Sequence, residues 1–139
     1  MLFKDFTAEP AYISKPLTFF QRRMLAKTRL GCLPIRLETG RYSIPRLPER
    51  ERSCLVCKSS LVDVNPGNEP IESEIHFLFF CNSYKAERNL WHSKMNLPDD
   101  FFLLTINEKL KCVLNDPCNV KLTAQFILNA YNIRTKILK

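Results

Sequence analysis

The sequence predicts a mainly α fold: a small helical domain with one irregular zinc-knuckle segment between the first helix and the C-terminal helices. Three observations carry this. Apolar residues recur every three or four positions over residues 17–30, 84–95, 106–114 and 120–138, the spacing of one helix face. Pro34, Pro45 and Pro48 bar a long helix from the stretch after the first of these, because proline lacks a backbone donor and its ring clashes with the preceding turn. Cys54, Cys57, His76 and Cys81 then follow in the order Cys-x2-Cys-x18-His-x4-Cys, a metal-ligand spacing in a segment without periodicity of its own.

Taken in order, residues 1–14 read as a lead-in with little pattern, and residues 15–139 as a single helical zinc-binding domain whose knuckle spans 54–81. After Pro16 the first helix places Leu17, Phe20, Met24, Leu25 and Thr28 on one face. Arg22, Arg23, Lys27 and Arg29 lie largely around the other side, and Gly31 is a natural stop. The alternation Ile35-Arg36-Leu37-Glu38 predicts a short extended piece. Residues 62–70, with Pro66-Gly67 and Asn68, read as a surface loop. Beyond Cys81 a helix is expected through Tyr84, Arg88, Trp91 and Met95, capped by Asn82 or Ser83 and ended by Pro98. Thr105 and Glu108 have the spacing of a capping box ahead of Ile106, Leu110, Val113 and Leu114. Asp116-Pro117 predicts the start of a last helix with Val120, Ala124, Ile127, Tyr131 and Leu138 as its apolar stripe.

Composition bounds the function. The chain has 139 residues, 45% hydrophobic and 25% charged, the mixture of one globular domain. Only 3 residues are glycine, which argues against a glycine-rich phosphate loop. No stretch approaches the roughly 18 apolar residues of a membrane helix. The first residues show no apolar core of a signal peptide, so an intracellular setting, nuclear or cytoplasmic, with reduced thiols is expected. The net charge of +7 is unevenly spread. Residues 15–58 hold 11 Lys/Arg against 3 Asp/Glu, a net of +8, while residues 59–108 hold 3 against 8, a net of −5. Screening limits the reach of surface charge to about 8 Å at physiological salt, so local charge decides partners. The basic region is the place for a polyanion site.

The Cys54/Cys57/His76/Cys81 set fits one tetrahedral zinc ion. Two residues between cysteines let both sulfurs turn toward one ion. A closed four-ligand shell leaves no position for water or substrate, so the role is structural, and bound metal supplies folding energy to an irregular segment. The alternative is a group of buried thiols and a core histidine. Cys32, Cys112 and Cys118 have no ligand partner nearby and are expected to be small core residues; His92 is expected to be a surface or packing residue.

Three runs carry a resemblance. Residues 25–42, Leu25-Ala26-Lys27-Thr28-Arg29-Leu30-Gly31-Cys32 through to Tyr42, come first. Glu51-Arg52-Ser53-Cys54-Leu55-Val56-Cys57 and Glu74-Ile75-His76-Phe77-Leu78-Phe79-Phe80-Cys81-Asn82-Ser83-Tyr84 follow. Over about residues 14–94 the chain resembles the CCHC zinc-binding region found C-terminal to the polymerase domain of non-LTR retroelement reverse transcriptases. The resemblance implies that the four ligands hold zinc, and that the module keeps RNA or DNA near a polymerase domain. No Tyr/Phe-Ala-Asp-Asp polymerase motif occurs, and Asp99-Asp100 reads as a helix start. The chain is thus expected to be a fragment or solitary derivative of a reverse transcriptase, and not itself an enzyme.

Three functions stay open on the residues. In the first, Arg22, Arg23, Lys27, Arg29, Arg36, Arg41, Arg46, Arg50 and Arg52 contact phosphates, with Tyr42 and Phe80 stacking on bases or serving as core. In the second, the module is structural and docks on a polymerase domain. The third, an enzyme, lacks support: Glu72 and Glu74 stand beside His76 as partners of a ligand or as loop charges, and Leu78 occupies the place where a deaminase needs glutamate.

Overall fold

The computed structural model describes Ile13, residues 15–59 and residues 70–139. The expected lead-in and most of the loop at 62–70 lie outside the described residues. Among the described residues the chain is mainly helical, and its only strand-like pairing is an isolated antiparallel bridge between Ser53 and Ile71.

Helix α1 spans Phe19–Leu30. Thr18 and Gln21 form a capping box at its start, and Gly31 ends it in the left-handed conformation at φ 70°. The buried face differs from the expected one. Gln21, Leu25, Thr28 and Arg29 face inward, whereas Phe20 is 63% exposed. The reason is polar pairing across the interface. Gln21 Nε2 donates to Gln125 Oε1 at 3.1 Å, and Arg29 donates to the side-chain oxygen of Asn115. Buried polar groups with partners are tolerated, so the helix is free to rotate its phenylalanines outward.

The predicted extended piece is instead a helical turn, α2, over Arg36–Thr39. Its first donors are satisfied from far along the chain: Arg36 N donates to Glu72 Oε2 at 2.7 Å, and Leu37 N to the Glu72 carbonyl at 3.1 Å. A side chain 36 residues away thus caps a turn that local pattern alone does not specify.

Helix α3, Leu55–Ser59, follows the first ligand; α4 spans Lys85–Lys94, α5 Ile106–Leu114 and α6 Val120–Ile137. The expected Thr105–Glu108 capping box is present on α5. The cap expected at Asn82 or Ser83 is displaced, because Asn82–Tyr84 forms a 3-10 turn and α4 starts after Tyr84. The start of α6 also moves, from Asp116-Pro117 to Val120. Asp116 holds a turn by accepting from Cys118 N at 2.9 Å. Buried Asn119 clasps the chain after α4, accepting from Asn96 N and donating to the Asn96 and Cys112 carbonyls.

Helix α6 is the axis of the molecule, packing against α1, α3, α4 and α5. Its stripe Val120, Ala124 and Ile127 is fully buried, with Tyr131 and Leu138 at the margin. Trp91 of α4 stacks on Phe126 at 4.3 Å between ring centroids, and Phe126 also meets Phe77 at 6.5 Å. These contacts seat the segment carrying His76 and Cys81 directly on the core.

Candidate metal centre

The site is assembled from three local devices. The first is the bridge: Cys54 N donates to the Pro70 carbonyl at 2.7 Å, and Glu72 N to the Arg52 carbonyl at 3.0 Å. This joins the chain at Arg52–Cys54 to the chain at Pro70–Glu72. With the two stretches joined, doubling the number of residues between them would add only about 0.6 kcal/mol of closure entropy.

The second device is the knuckle itself. Cys54 stands just before α3 and Cys57 in its first turn. Cys57 N lies 3.4 Å from Cys54 Sγ as donor, which turns both sulfurs to the same side.

The third is a π-turn over His76–Phe80, closed by Cys81 N donating to the His76 carbonyl at 2.8 Å. Five residues along an α-helix turn the side chain by about 140° from its starting direction. A five-residue hydrogen-bonded turn instead brings positions i and i+5 to one side. Here the π-turn is what brings His76 and Cys81 to one side. Arg88, buried on α4, holds the turn in place, with Nε donating to the Leu78 carbonyl at 2.8 Å and Nη2 to the Cys81 carbonyl at 2.9 Å. Ser73 Oγ accepts from His76 N at 3.2 Å.

The outcome is four buried side chains whose ligand atoms all lie within 4.8 Å of one another. Cys57 Sγ is 3.4 Å from His76 Nε2 and 3.7 Å from Cys81 Sγ. Ligands on a tetrahedron, with sulfur at about 2.3 Å and nitrogen at about 2.0–2.1 Å from the ion, stand about 3.8 Å apart for sulfur–sulfur and about 3.6 Å for sulfur–nitrogen. The two separations match those edges. The sulfurs are far beyond disulfide distance, about 2.05 Å, and the cysteines are free thiols. The donor set is thus compatible with one metal ion.

The electrostatics show what an ion would relieve. The Cys54 thiol, hydrogen-bonded to Cys81 and buried, is pushed up to about 12. Burial and the neighbouring Cys54 push Cys57 up to about 11. The hydrogen bond from Cys54 holds Cys81 below its ordinary value. Three thiolates at this spacing repel one another without a cation among them, and metal binding must displace their protons.

The remaining cysteines and histidine stand apart. Cys32 and Cys112 are half-buried, but Cys118, expected in the core, is exposed on the turn before α6. His92 is a packing residue, its ring 5.0 Å from Trp91 and 5.5 Å from Phe101. Burial, then the charges of Arg88 and Lys109, keep its imidazole below its ordinary value.

The expected phosphate contacts divide into two groups. Arg29 and Arg52 are buried at 8% and 4% exposure and are spent internally, so the structure withdraws both from the surface set. Arg52 donates to the Leu47 carbonyl through Nε and Nη2 and to the Leu37 carbonyl through Nη1. Its long stem and planar fork let one residue gather two carbonyls from different turns. Arg22 is half-buried and donates to the Ile13 and Lys15 carbonyls. Arg36 and Lys27 are half-buried, while Arg23, Arg41, Arg46 and Arg50 are exposed. Arg41 has a loose 3.6 Å ion pair with Glu38. Tyr42 and Phe80 are both exposed, which removes the core alternative for them.

Glu72 is neither a loop charge nor a partner of His76. It is 1% exposed and binds the Arg134 guanidinium at 2.6 and 3.0 Å. Glu74 is also buried, and burial holds its carboxyl above the usual range. Sequence reasoning missed the Glu72–Arg134 pair and the role of Arg88. For Arg88 a signal existed: a charged residue at a core position of the stripe Tyr84, Arg88, Trp91, Met95. For Glu72 and Arg134, 62 residues apart, no local pattern existed.

No helix among the described residues is long and apolar enough to cross a membrane. Compared with family models, curated proteins and solved structures, the chain matches none of them.

Proposed function

We propose that this chain is a zinc-stabilised nucleic-acid-binding module without catalytic activity of its own, derived from the region that follows the polymerase domain of a retroelement reverse transcriptase. Three thiols and an imidazole whose ligand atoms lie within 4.8 Å of one another favour zinc among the common metals. With all four positions taken by protein, the ion's role is to fold the segment.

The observation that carries the nucleic-acid reading is the way the basic loop is tied to the ligands. Arg41, Arg46 and Arg50 are exposed around a loop that Leu47 N closes on the Gly40 carbonyl at 3.0 Å. Buried Arg52 grips that loop through the Leu47 carbonyl, two residues before Cys54. Metal at Cys54 thereby fixes a rigid display of cations, with exposed Tyr42 among them. Such a display suits the phosphates of RNA or DNA and gives affinity without sequence preference.

Metal content per chain, measured for the parent, Cys57→Ser and His76→Ala, tests the first half. One zinc in the parent and none in the variants, with loss of helical signal, is expected. Binding of the loaded parent to labelled RNA and DNA across a salt series tests the second. Affinity should fall steeply with salt; a loaded protein that binds neither polymer at low salt defeats the reading.

A second reading has one observation in its favour. Phe102 and Leu103 are 72% and 88% exposed side by side. An adjacent apolar pair in solvent suits docking on another protein surface, such as a reverse transcriptase polymerase domain.

A further inference from the structure

We propose that the groove between α1 and α6 accepts an unpaired base of single-stranded nucleic acid, with Arg23 and Lys27 on the flanking phosphates. This rests on the nucleic-acid reading above and names one site within it, separate from the Arg41–Arg50 loop residues that carry that reading.

Phe20, Arg23, Met24 and Lys27 line the groove from α1, and Tyr131 and Asn132 are among the residues that line it from α6. The four α1 residues fall at i, i+3, i+4 and i+7, so they form one aligned wall. Tyr131 and Asn132 supply the facing wall from α6. No carboxylate is among the lining side chains. The site is therefore an apolar and aromatic cleft bearing two cations and no acid, in chemistry and charge the complement of a base between phosphates.

The two cations contrast with their neighbours on the same helix. Arg22 is committed to backbone carbonyls and Arg29 to Asn115. Among the described residues, Arg23 and Lys27 form no ion pair. They stand one turn apart, about 6 Å along the axis. The aromatic wall is pre-set: the Tyr131 hydroxyl donates to the Pro34 carbonyl at 3.4 Å, and the Arg134 guanidinium lies 5.9 Å from the Tyr131 ring centre. Phe20 leaves most of its ring in water, which is a ready stacking surface. The Asn132 side chain is exposed and offers both a donor and an acceptor to a base edge. A base in a duplex is already stacked and paired, so this cleft selects single strands.

The test uses the zinc-loaded full chain and fluorescence anisotropy with labelled oligothymidylate, oligouridylate and a duplex of equal length. Phe20→Ala should weaken single-strand binding about fivefold or more. Phe20→Leu keeps apolar bulk on the helix and should still weaken it, which guards against a folding artefact. The double variant Arg23→Ala/Lys27→Ala should lower the slope of log affinity against log salt by about 1.4, at about 0.7 per phosphate contact on a single strand. Metal content and helical signal should match the parent in each case. If these variants bind as the parent does while Arg46→Ala/Arg50→Ala weakens binding, the groove proposal is overturned and the module reading stands. Equal affinity for single strand and duplex also overturns it. A parent that binds no nucleic acid overturns both.

Discussion

Replacing Arg134 by methionine isolates the contact that ties α6 to the segment carrying the candidate ligands His76 and Cys81. The guanidinium makes two bonds to Glu72, at 2.6 and 3.0 Å, and the carboxylate is 1% exposed. Burial works against the Arg134 charge, but the hydrogen bonds and charge of Glu72 outweigh it and hold its guanidinium above the ordinary value. Without that partner Glu72 keeps, among the described residues, one donor, Arg36 N, for a charge sealed from water. Breaking one side of a buried pair costs about 3–5 kcal/mol. For a domain of this size that corresponds to a fall in Tm of about 10–20 °C. Glu72→Gln should cost less, about 1.5–3 kcal/mol. It keeps an acceptor for Arg36 N, and the stranded guanidinium sits in the last turn of α6, where the helix dipole favours a cation. The double variant should then be more stable than the sum of the two losses predicts, by about 1 kcal/mol or more. Urea unfolding of the metal-loaded protein, followed by Trp91 fluorescence, reads all four proteins. Trp91 is 3% exposed and stacked on Phe126, so its signal reports the core. A loss below about 1 kcal/mol for Arg134→Met, or strict additivity in the double variant, refutes the reasoning.

Other predictions follow from the same geometry. In the metal-free chain, Cys54 and Cys57 are raised to about 12 and about 11 from an ordinary 9.0. Unfolded thiols therefore ionise first, and stability present below about pH 9 should be lost as pH rises toward 11 to 12; metal-free unfolding that is flat over this range would contradict it. Gly40→Ala should destabilise, since its Cβ would meet Arg52 Cγ at 2.7 Å and the Arg36 carbonyl at 2.9 Å, and it should weaken nucleic-acid binding by loosening the basic loop. Arg29→Ala should cost about 1.5–3 kcal/mol of stability through the lost charged hydrogen bond to Asn115. Arg50→Ala should leave stability within about 0.5 kcal/mol while weakening binding and lowering its salt slope together. Thr105→Ala should cost about 1 kcal/mol by removing the α5 cap, read by thermal melting.

The legibility of the site was uneven for a definite reason. Cys54, Cys57, His76 and Cys81 announce themselves because ligand chemistry restricts residue type and spacing within short windows. The 18 residues between Cys57 and His76 exceed what a compact knuckle needs, and the Ser53–Ile71 bridge is what brings the two halves of the motif together across them. The basic residues were harder. Charge and helical position distinguish Arg22 from Arg23 poorly, and nothing local marks Arg29 or Arg52 as buried. Each was decided by a carbonyl or amide supplied from another element.

The sequence by itself determined the helical class, the Thr105 cap, the stripes of α4 and α6 and the four candidate ligands. Each depends on periodicity, capping chemistry or donor type over a few residues. Only the tertiary structure decided the rotation of α1, the helical turn at Arg36–Thr39, the later start of α6 and the placement of Glu72. These follow from where buried polar groups find partners, and a buried polar group must be paired wherever in the chain its partner lies. The π-turn at His76–Phe80 belongs to both: the His-x4-Cys spacing required convergence, and packing of Arg88 and Phe77 against the core supplied the turn that achieves it.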